Sequence, residues 1–238
     1  RRPPRSTLFP YTTLFRSAIL LSLRVAVIAT LVATPFGIAL AWLLARRDFW
    51  GKSLLDAAVH LPLVLPPVVT GYLLLLTFGK RGLVGGWLAD HLGIVFAFRW
   101  TGAALACGVM SFPLLVRPIR LSIEAVDRRL EQAAETLGAA PWRVFATVTL
   151  PLALPGVLAG MVLGFAKAIG EFGATITFVS NIPGETQTIS SAIYSLIQTP
   201  DGDTAAARLV IVSIVIAMGA LIGAEVFARR ATARLHGQ

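Results

Sequence analysis

Charge is scarce in this chain, and cysteine and histidine are scarcer still. Only 14% of its 238 residues are Asp, Glu, Lys or Arg, against about 25% in soluble globular domains, so a water-facing surface of ordinary size cannot be built from it. The single cysteine, Cys107, sits in an apolar run, which excludes a disulfide framework within one chain. His60, His91 and His236 are scattered and give no metal-ligand spacing. A phosphate-binding loop is missing too. Neither Gly51-Lys52 nor Gly79-Lys80 has the required glycine five residues earlier. The chain therefore holds no ATP in a P-loop of its own, and no metal or other cofactor is expected. No histidine cluster or nucleophile–base motif is present, which argues against a membrane enzyme. The alternating ten-residue segments of a membrane β-barrel are also absent.

What fills the chain instead is apolar sequence: 56% hydrophobic residues and a mean hydropathy of +0.77. Thr7 to Ser17, TLFPYTTLFRS, resembles the translation of a common sequencing adapter residue for residue. Residues 1–17 are read as replacing a short native N-terminus and carry no expectation about the fold. Removing their four arginines lowers the formal net charge from +9 to +5. The alternative, a basic signal sequence, lacks an apolar core ending in a small-residue cleavage site.

Five segments are long and apolar enough to cross about 30 Å of hydrocarbon: Ala18–Ala45, Ala57–Phe78, Thr101–Leu121, Leu152–Phe172 and Ala205–Ala228. Thr188–Ile197 is too short and polar, and reads as a surface or re-entrant helix. The basic residues set the orientation. Counting Arg117 and Arg120 at the end of span 3, the regions after spans 1, 3 and 5 hold eleven Lys and Arg, among them Arg46, Arg47, Arg128, Arg129 and Arg143; counting Arg208 at the start of span 5, the regions after spans 2 and 4 hold four. This places the loop after span 3 and the C-terminal tail, 231–238, in the cytoplasm, and the N-terminus outside. No nucleic-acid partner is expected.

That cytoplasmic loop, LEQAAETLGAAPWRVFATVTLP (Leu130 to Pro151), is the least membrane-like part of the chain. Asp127 can cap a helix whose apolar face is Leu130, Ala133, Ala134 and Leu137. Gly138 stands where a helix ends. Pro141 suits the first turn of a second short helix carrying Trp142, Val144 and Phe145. Pro151 is expected to separate this arm from span 4. Exposed Trp142 and Phe145 need either the membrane interface or a docked partner.

Span 4 carries Gly156, Gly160 and Gly164 every four residues, a spacing that favours close helix packing in lipid. Lys167 and Glu171 follow at the i, i+4 spacing of a helix ion pair. Each lies seven residues from a stripe glycine, hence about 20° off the stripe. They are expected to face protein or a water cavity, either locking two helices or gating near the outer mouth. In span 2, Pro62, Pro66 and Pro67 interrupt the helical ladder, either as a kinked entry or as a cavity lining. Ser111-Phe112-Pro113 in span 3 is a weaker case of the same kind. Arg24, Lys167, Lys80 and Arg81 are the cations in or near the outer half, too few to hold a dianion tightly.

The arm resembles the E-A-A-x-x-x-G…I-x-L-P loop of ABC importer permeases. The matching positions are Gln132-Ala133-Ala134, Gly138 and Val148-Thr149-Leu150-Pro151, with Gln132 in place of the leading acid and Glu131 beside it. In that family the loop is the coupling helix that seats in the ATPase subunit. The resemblance therefore marks Glu131, Gln132, Ala133, Ala134, Leu137, Gly138, Pro141, Trp142 and Phe145 as ATPase-coupling residues. Gly170-Glu171-Phe172-Gly173-Ala174 looks like an element of the permeases that import tetrahedral oxyanions. His60 to Pro67, Val179 to Ile189 and Ile197 to Pro200 are similar to the molybdate branch. The likeness spans Ala18 to Ala228.

The resemblance implies an all-α polytopic membrane protein of the type I ABC importer permease fold, with five spans, N-terminus out and C-terminus in, over residues 18–230. It implies a second copy of the chain, a cytoplasmic ABC ATPase dimer and a periplasmic oxyanion-binding protein as partners. Pathway or gate positions are Lys167, Glu171, Pro66, Pro67 and Ser111. Sulfate, thiosulfate or tungstate are the rival cargoes. A secondary transporter or channel, the rival of another class, has no use for the arm, and no inverted repeat is found among the spans.

Overall fold

The computed structural model describes residues 10–200 and 202–236. Among them there are eleven α-helices, one π-helical turn and no strand. Four helices are long and apolar enough to cross a bilayer, and a fifth crossing is made if two short helices joined at a sharp bend count as one.

The first helix, α1, runs Pro10–Arg46. It starts earlier than expected, because nothing between Pro10 and Ala18 interrupts a helix. Phe15, inside the adapter-like stretch, packs against a small cluster of Ala18, Ile189, Ala192 and Leu209. The stretch 1–9 lies outside the described residues. Where one continuous second span was expected, the chain forms α2 (Lys52–Val64) and α3 (Pro67–Phe78) at 116° to each other. Leu65, before Pro66, is extended at φ −71°, ψ 143°, as sterics with the following proline ring require. Pro62 is tolerated inside α2.

After α4 (Leu83–Leu92), the helix α5 (Trp100–Ala125) forms the centre of the subunit. Then come α6 (Arg128–Thr136), α7 (Pro141–Val144), the π turn Phe145–Thr149 and α8 (Leu150–Ile169). The short α9 (Gly173–Val179) and α10 (Ile189–Leu196) precede the last crossing helix, α11 (Asp203–His236). The predicted sixth segment is α10. Eight residues are far short of a crossing, and a capping box between Thr188 and Ser191 fixes its start. It packs on α1, where the Ile189 N–H donates to Ser22 Oγ at 2.8 Å.

Two apolar cores stack along the helices. One joins Val25, Met110, Ala168, Phe178 and their neighbours. The other joins Ala41, Leu115, Ile119, Ile123, Ala153 and Val157. The α5–α8 seam is tight because two predicted glycines lie in it. A Cβ on Gly160 would come 2.5 Å from the Leu115 carbonyl oxygen, and one on Gly156 would overlap Ser122. Gly164 is buried, but its contact with Leu115 at 3.6 Å is ordinary. Small residues let backbones approach where no hydrophobic force separates protein from lipid.

Candidate functional site: the arm, its anchor and the outer turn

The arm begins with a helix cap. Asp127 accepts a hydrogen bond from the Arg129 N–H at 2.9 Å, so α6 starts where the sequence placed it. Gly138 ends it at φ +84°, a left-handed conformation that glycine adopts without strain. The Ala139 N–H returns to the Ala134 carbonyl at 3.1 Å, closing the turn. Pro141 then opens α7.

From Pro141 the helix does not stop. Pro151 was expected to divide arm from span, yet helical structure continues from Pro141 to Ile169. The π turn explains this. The Leu150 N–H reaches back five residues to the Phe145 carbonyl. A widened turn relieves the clash of a proline ring with the preceding carbonyls, and the missing proline N–H leaves a bond that need not be made. The second half of the arm is thus a direct extension of α8.

The most exposed large apolar side chains of the arm are Leu137, at 89%, and Trp142, at 68%. Leu130, Gln132 and Ala133 are exposed as well, Ala134 partly so. Phe145 does not join them. Its ring turns inward and meets Trp42 of α1 edge-on, centroids 6.0 Å apart. The outward face is therefore narrower than the sequence indicated.

Glu131 also turns inward. Its Oε1 accepts hydrogen bonds from Arg46 Nε and Nη2, at 3.2 and 3.0 Å, and from Thr149 Oγ1 at 2.6 Å. Arg46 Nη2 also donates to the Val126 carbonyl at 3.1 Å, the cap position of α5. The Arg46 and Glu131 side chains are only 9% and 15% exposed, and Thr149 is buried. Neither Arg46 nor Thr149 was singled out from sequence as a partner. They lie 85 and 18 residues from Glu131, beyond the reach of any local pattern. Nearby, Arg120 of α5 holds Asp56 of α2 at 2.9 Å and Glu124 at 2.8 Å.

At the other end of α8 lies the outer turn. Lys167 and Glu171 pair at 2.8 Å (Nζ to Oε2). Glu171 is not on the helix of Lys167, because α8 ends at Ile169. It sits in the turn to α9, 1% exposed, and its Oε1 accepts the Ala174 N–H at 3.1 Å. Lys167 keeps 30% of its side chain exposed. The break in span 2 abuts this turn. A Cβ on Gly173 would meet the Pro67 ring at 2.6 Å, and one on Gly71 the Ala174 carbonyl oxygen at the same distance. Pro66 and Pro67 themselves are exposed. The structure thus brings four of the five predicted pathway residues to one region. Ser111 is not among them. It is fully buried, and its hydroxyl donates back to the Gly108 carbonyl at 3.3 Å.

A cavity of about 680 Å³ lies elsewhere, between α1, α2 and α5, lined by Ile28, Val32, Phe36, Pro62, Trp100 and Phe112 among others. Its walls are largely apolar and include neither Lys167 nor Glu171. Arg24 stacks on the Trp100 ring at its rim, 3.8 Å from the centroid.

With this geometry in view, the likenesses to known proteins are informative. The chain is 64% identical over 212 residues to the molybdenum transport system permease protein ModB of Escherichia coli strain K12, covering 89% of this chain and 93% of that one. It is 57% identical over 219 residues to the ModB protein of Haemophilus influenzae, covering 92% and 96%. The sulfate transport system permease protein CysT of Escherichia coli is 38% identical over 197 residues, covering 83% and 70%. Among solved structures, a bacterial ABC transporter involved in alginate import aligns with a TM-score of 0.72 at 20% identity, covering 93% of this chain and 83% of that chain. The MetNI methionine ABC transporter aligns at 0.68 and 12%, covering 96% and 99%. At such identities these two speak for the fold alone, a multi-pass permease fold. Residues 33–233 match the family described as binding-protein-dependent transport system inner membrane component, and the chain belongs to that family.

Proposed function

We propose that this chain is the membrane-spanning subunit of an ATP-driven importer that moves molybdate across the inner membrane. The observation that carries the reading is the 64% identity to a molybdenum permease over 93% of that protein's length. The sulfate permease at 38% is more distant, so molybdate is favoured over sulfate. Within the reading, the chain is a translocation pore and not an enzyme. ATP is hydrolysed by a cytoplasmic ATPase dimer, two copies of the chain form the pore, and a periplasmic binding protein delivers the oxyanion.

The arm's shape supports such a partnership. Leu137 and Trp142 project from the helix–turn–helix and stay largely exposed, with, among the described residues, only the neighbouring Arg143 guanidinium over the Trp142 ring, 5.5 Å from its centroid. An aromatic and a leucine at a fixed turn suit a pocket on a docked protein. Because Gln132 is neutral, docking rests on shape and apolar contact more than on an ion pair. Closure of the ATPase dimer would move the arm, and α8 would move with it as one helix.

At the outer turn, Lys167 and Glu171 neutralise each other, which leaves a weak site for a dianion. A transport path must release its cargo, so selectivity would rest in the binding protein. The pair acts in gating: its exchange of partners would open or close the region where α3 meets α9.

The test is import into sealed vesicles holding the permease and its ATPase. Molybdate should enter only with ATP and binding protein both present, and in preference to sulfate. Import without ATP would overturn the reading, and equal import of sulfate would overturn the cargo.

A further inference from the structure

We propose that Arg46, Glu131 and Thr149 form the joint through which movement of the arm reaches α1, α5 and α8 at once. The inference rests on the coupling role given to the arm above. It concerns what happens inside the subunit after the arm is pushed.

Arg46 is the last residue of α1, Glu131 lies in the first turn of α6, and Thr149 closes the π turn that leads into α8. One carboxylate oxygen gathers all three donors. The same guanidinium satisfies the Val126 carbonyl at the end of α5, a group a helix end otherwise leaves without a partner. Four segments thus meet within hydrogen-bond distance of two side chains.

Without this joint the first half of the arm would be held loosely. No residue of α6 is buried, and the Gly138 turn alone links it to α7. A push on Leu137 would then bend the arm and leave the spans unmoved. With the joint, α6 cannot tilt without carrying the ends of α1 and α5 and the start of α8. Both charges are largely shielded from water, so screening by salt weakens the tie little, and a charge left alone there is poorly tolerated. Glu131 is therefore a positioning residue that acts from behind the docking face. Gln132, one residue on, faces the partner.

The experiment uses the complete complex in vesicles and compares Arg46→Met, Glu131→Gln and the exchange pair Arg46→Glu with Glu131→Arg. In the single variants, ATP hydrolysis stimulated by the binding protein should persist. Molybdate imported per ATP should fall about tenfold, a usual size for coupling between sites. The exchange pair should recover most of that ratio. An unchanged ratio in both single variants would overturn the joint. So would a loss of import that follows only the amount of assembled complex, with the ratio per complex constant. A second readout needs no ATPase. A spin label at Glu135→Cys on the purified permease should become more mobile in Arg46→Met, and Cys107, being buried, takes up little label. If wild-type vesicles import no molybdate, the functional reading fails while the label still decides the joint. An unaltered spectrum would then sink it.

Discussion

Two carboxylates sit at chain junctions in this protein, and they are built in opposite ways. Glu171 is satisfied locally, by Lys167 four residues before it and the Ala174 N–H three residues after it. Glu131 is satisfied from afar, by Arg46 and Thr149. The first shapes one turn between two consecutive helices. The second ties the end of α1 to α5, α6 and the π turn, which lie some eighty to a hundred residues later in the chain. A local carboxylate can change partners without disturbing the fold, which suits a gate. A long-range one cannot, which suits a lever. The ends of the subunit differ in the same sense. The arm end is stitched between helices by Arg46–Glu131 and Arg120–Asp56, whereas among the described residues no long-range ion pair is found at the outer end.

Three measurements test this contrast. Glu171→Ala should have the largest effect, because it leaves the Lys167 charge unpaired and removes a buried acceptor from the start of α9. A loss of about 2–3 kcal/mol is expected, discounted for the partial exposure of Lys167. It should show as a lower melting temperature of the purified protein, and no loss at all would mean the turn is held by packing alone. Thr149→Val is milder. It removes one donor and leaves Arg46 in place, a change of about 1 kcal/mol in stability. Import per ATP should fall less than in Arg46→Met; a larger fall would move the centre of the joint from the ion pair to the π turn. Gln132→Glu should be smallest, within about 0.5 kcal/mol of wild type at an exposed position. It should instead make co-purification with the ATPase more sensitive to salt. A clear drop in stability would place Gln132 in the joint and blur the division between the two faces of α6.

The arm was legible in the sequence because its signals are local. Asp127, Gly138 and Pro141 act on their own backbones, and the structure places each at the helix start or stop that its chemistry implies. The glycine repeat of α8 likewise needed only helix geometry, though only its first two members meet α5 tightly. The errors came where a local signal had two outcomes. Pro151 reads as a break in the sequence, but a widened turn absorbs it. Pro66 and Pro67 read as an interruption of span 2, either a kinked entry or a cavity lining; with Leu65 extended they divide the span into two helices. Phe145 looked exposed because Trp42, a hundred residues away in sequence, is what covers it. The partners of Glu131, Arg46 and Thr149, are out of sight in the sequence for the same reason: they meet it only when the chain has folded.

The π turn has a consequence for how this segment tolerates gained and lost residues. In an ordinary α-helix, deleting one residue rotates everything before it by about 100°. Within Phe145–Thr149 the widened turn holds spare length. A single deletion there lets it close to an α turn, and Trp142 keeps its bearing toward the outside. The same deletion in α6 would turn Glu131 away from Arg46, and one in the first turns of α8 would swing the whole arm around the helix axis. The stretch between Trp142 and Leu150 is thus the one place along this lever where its length can change while its aim does not.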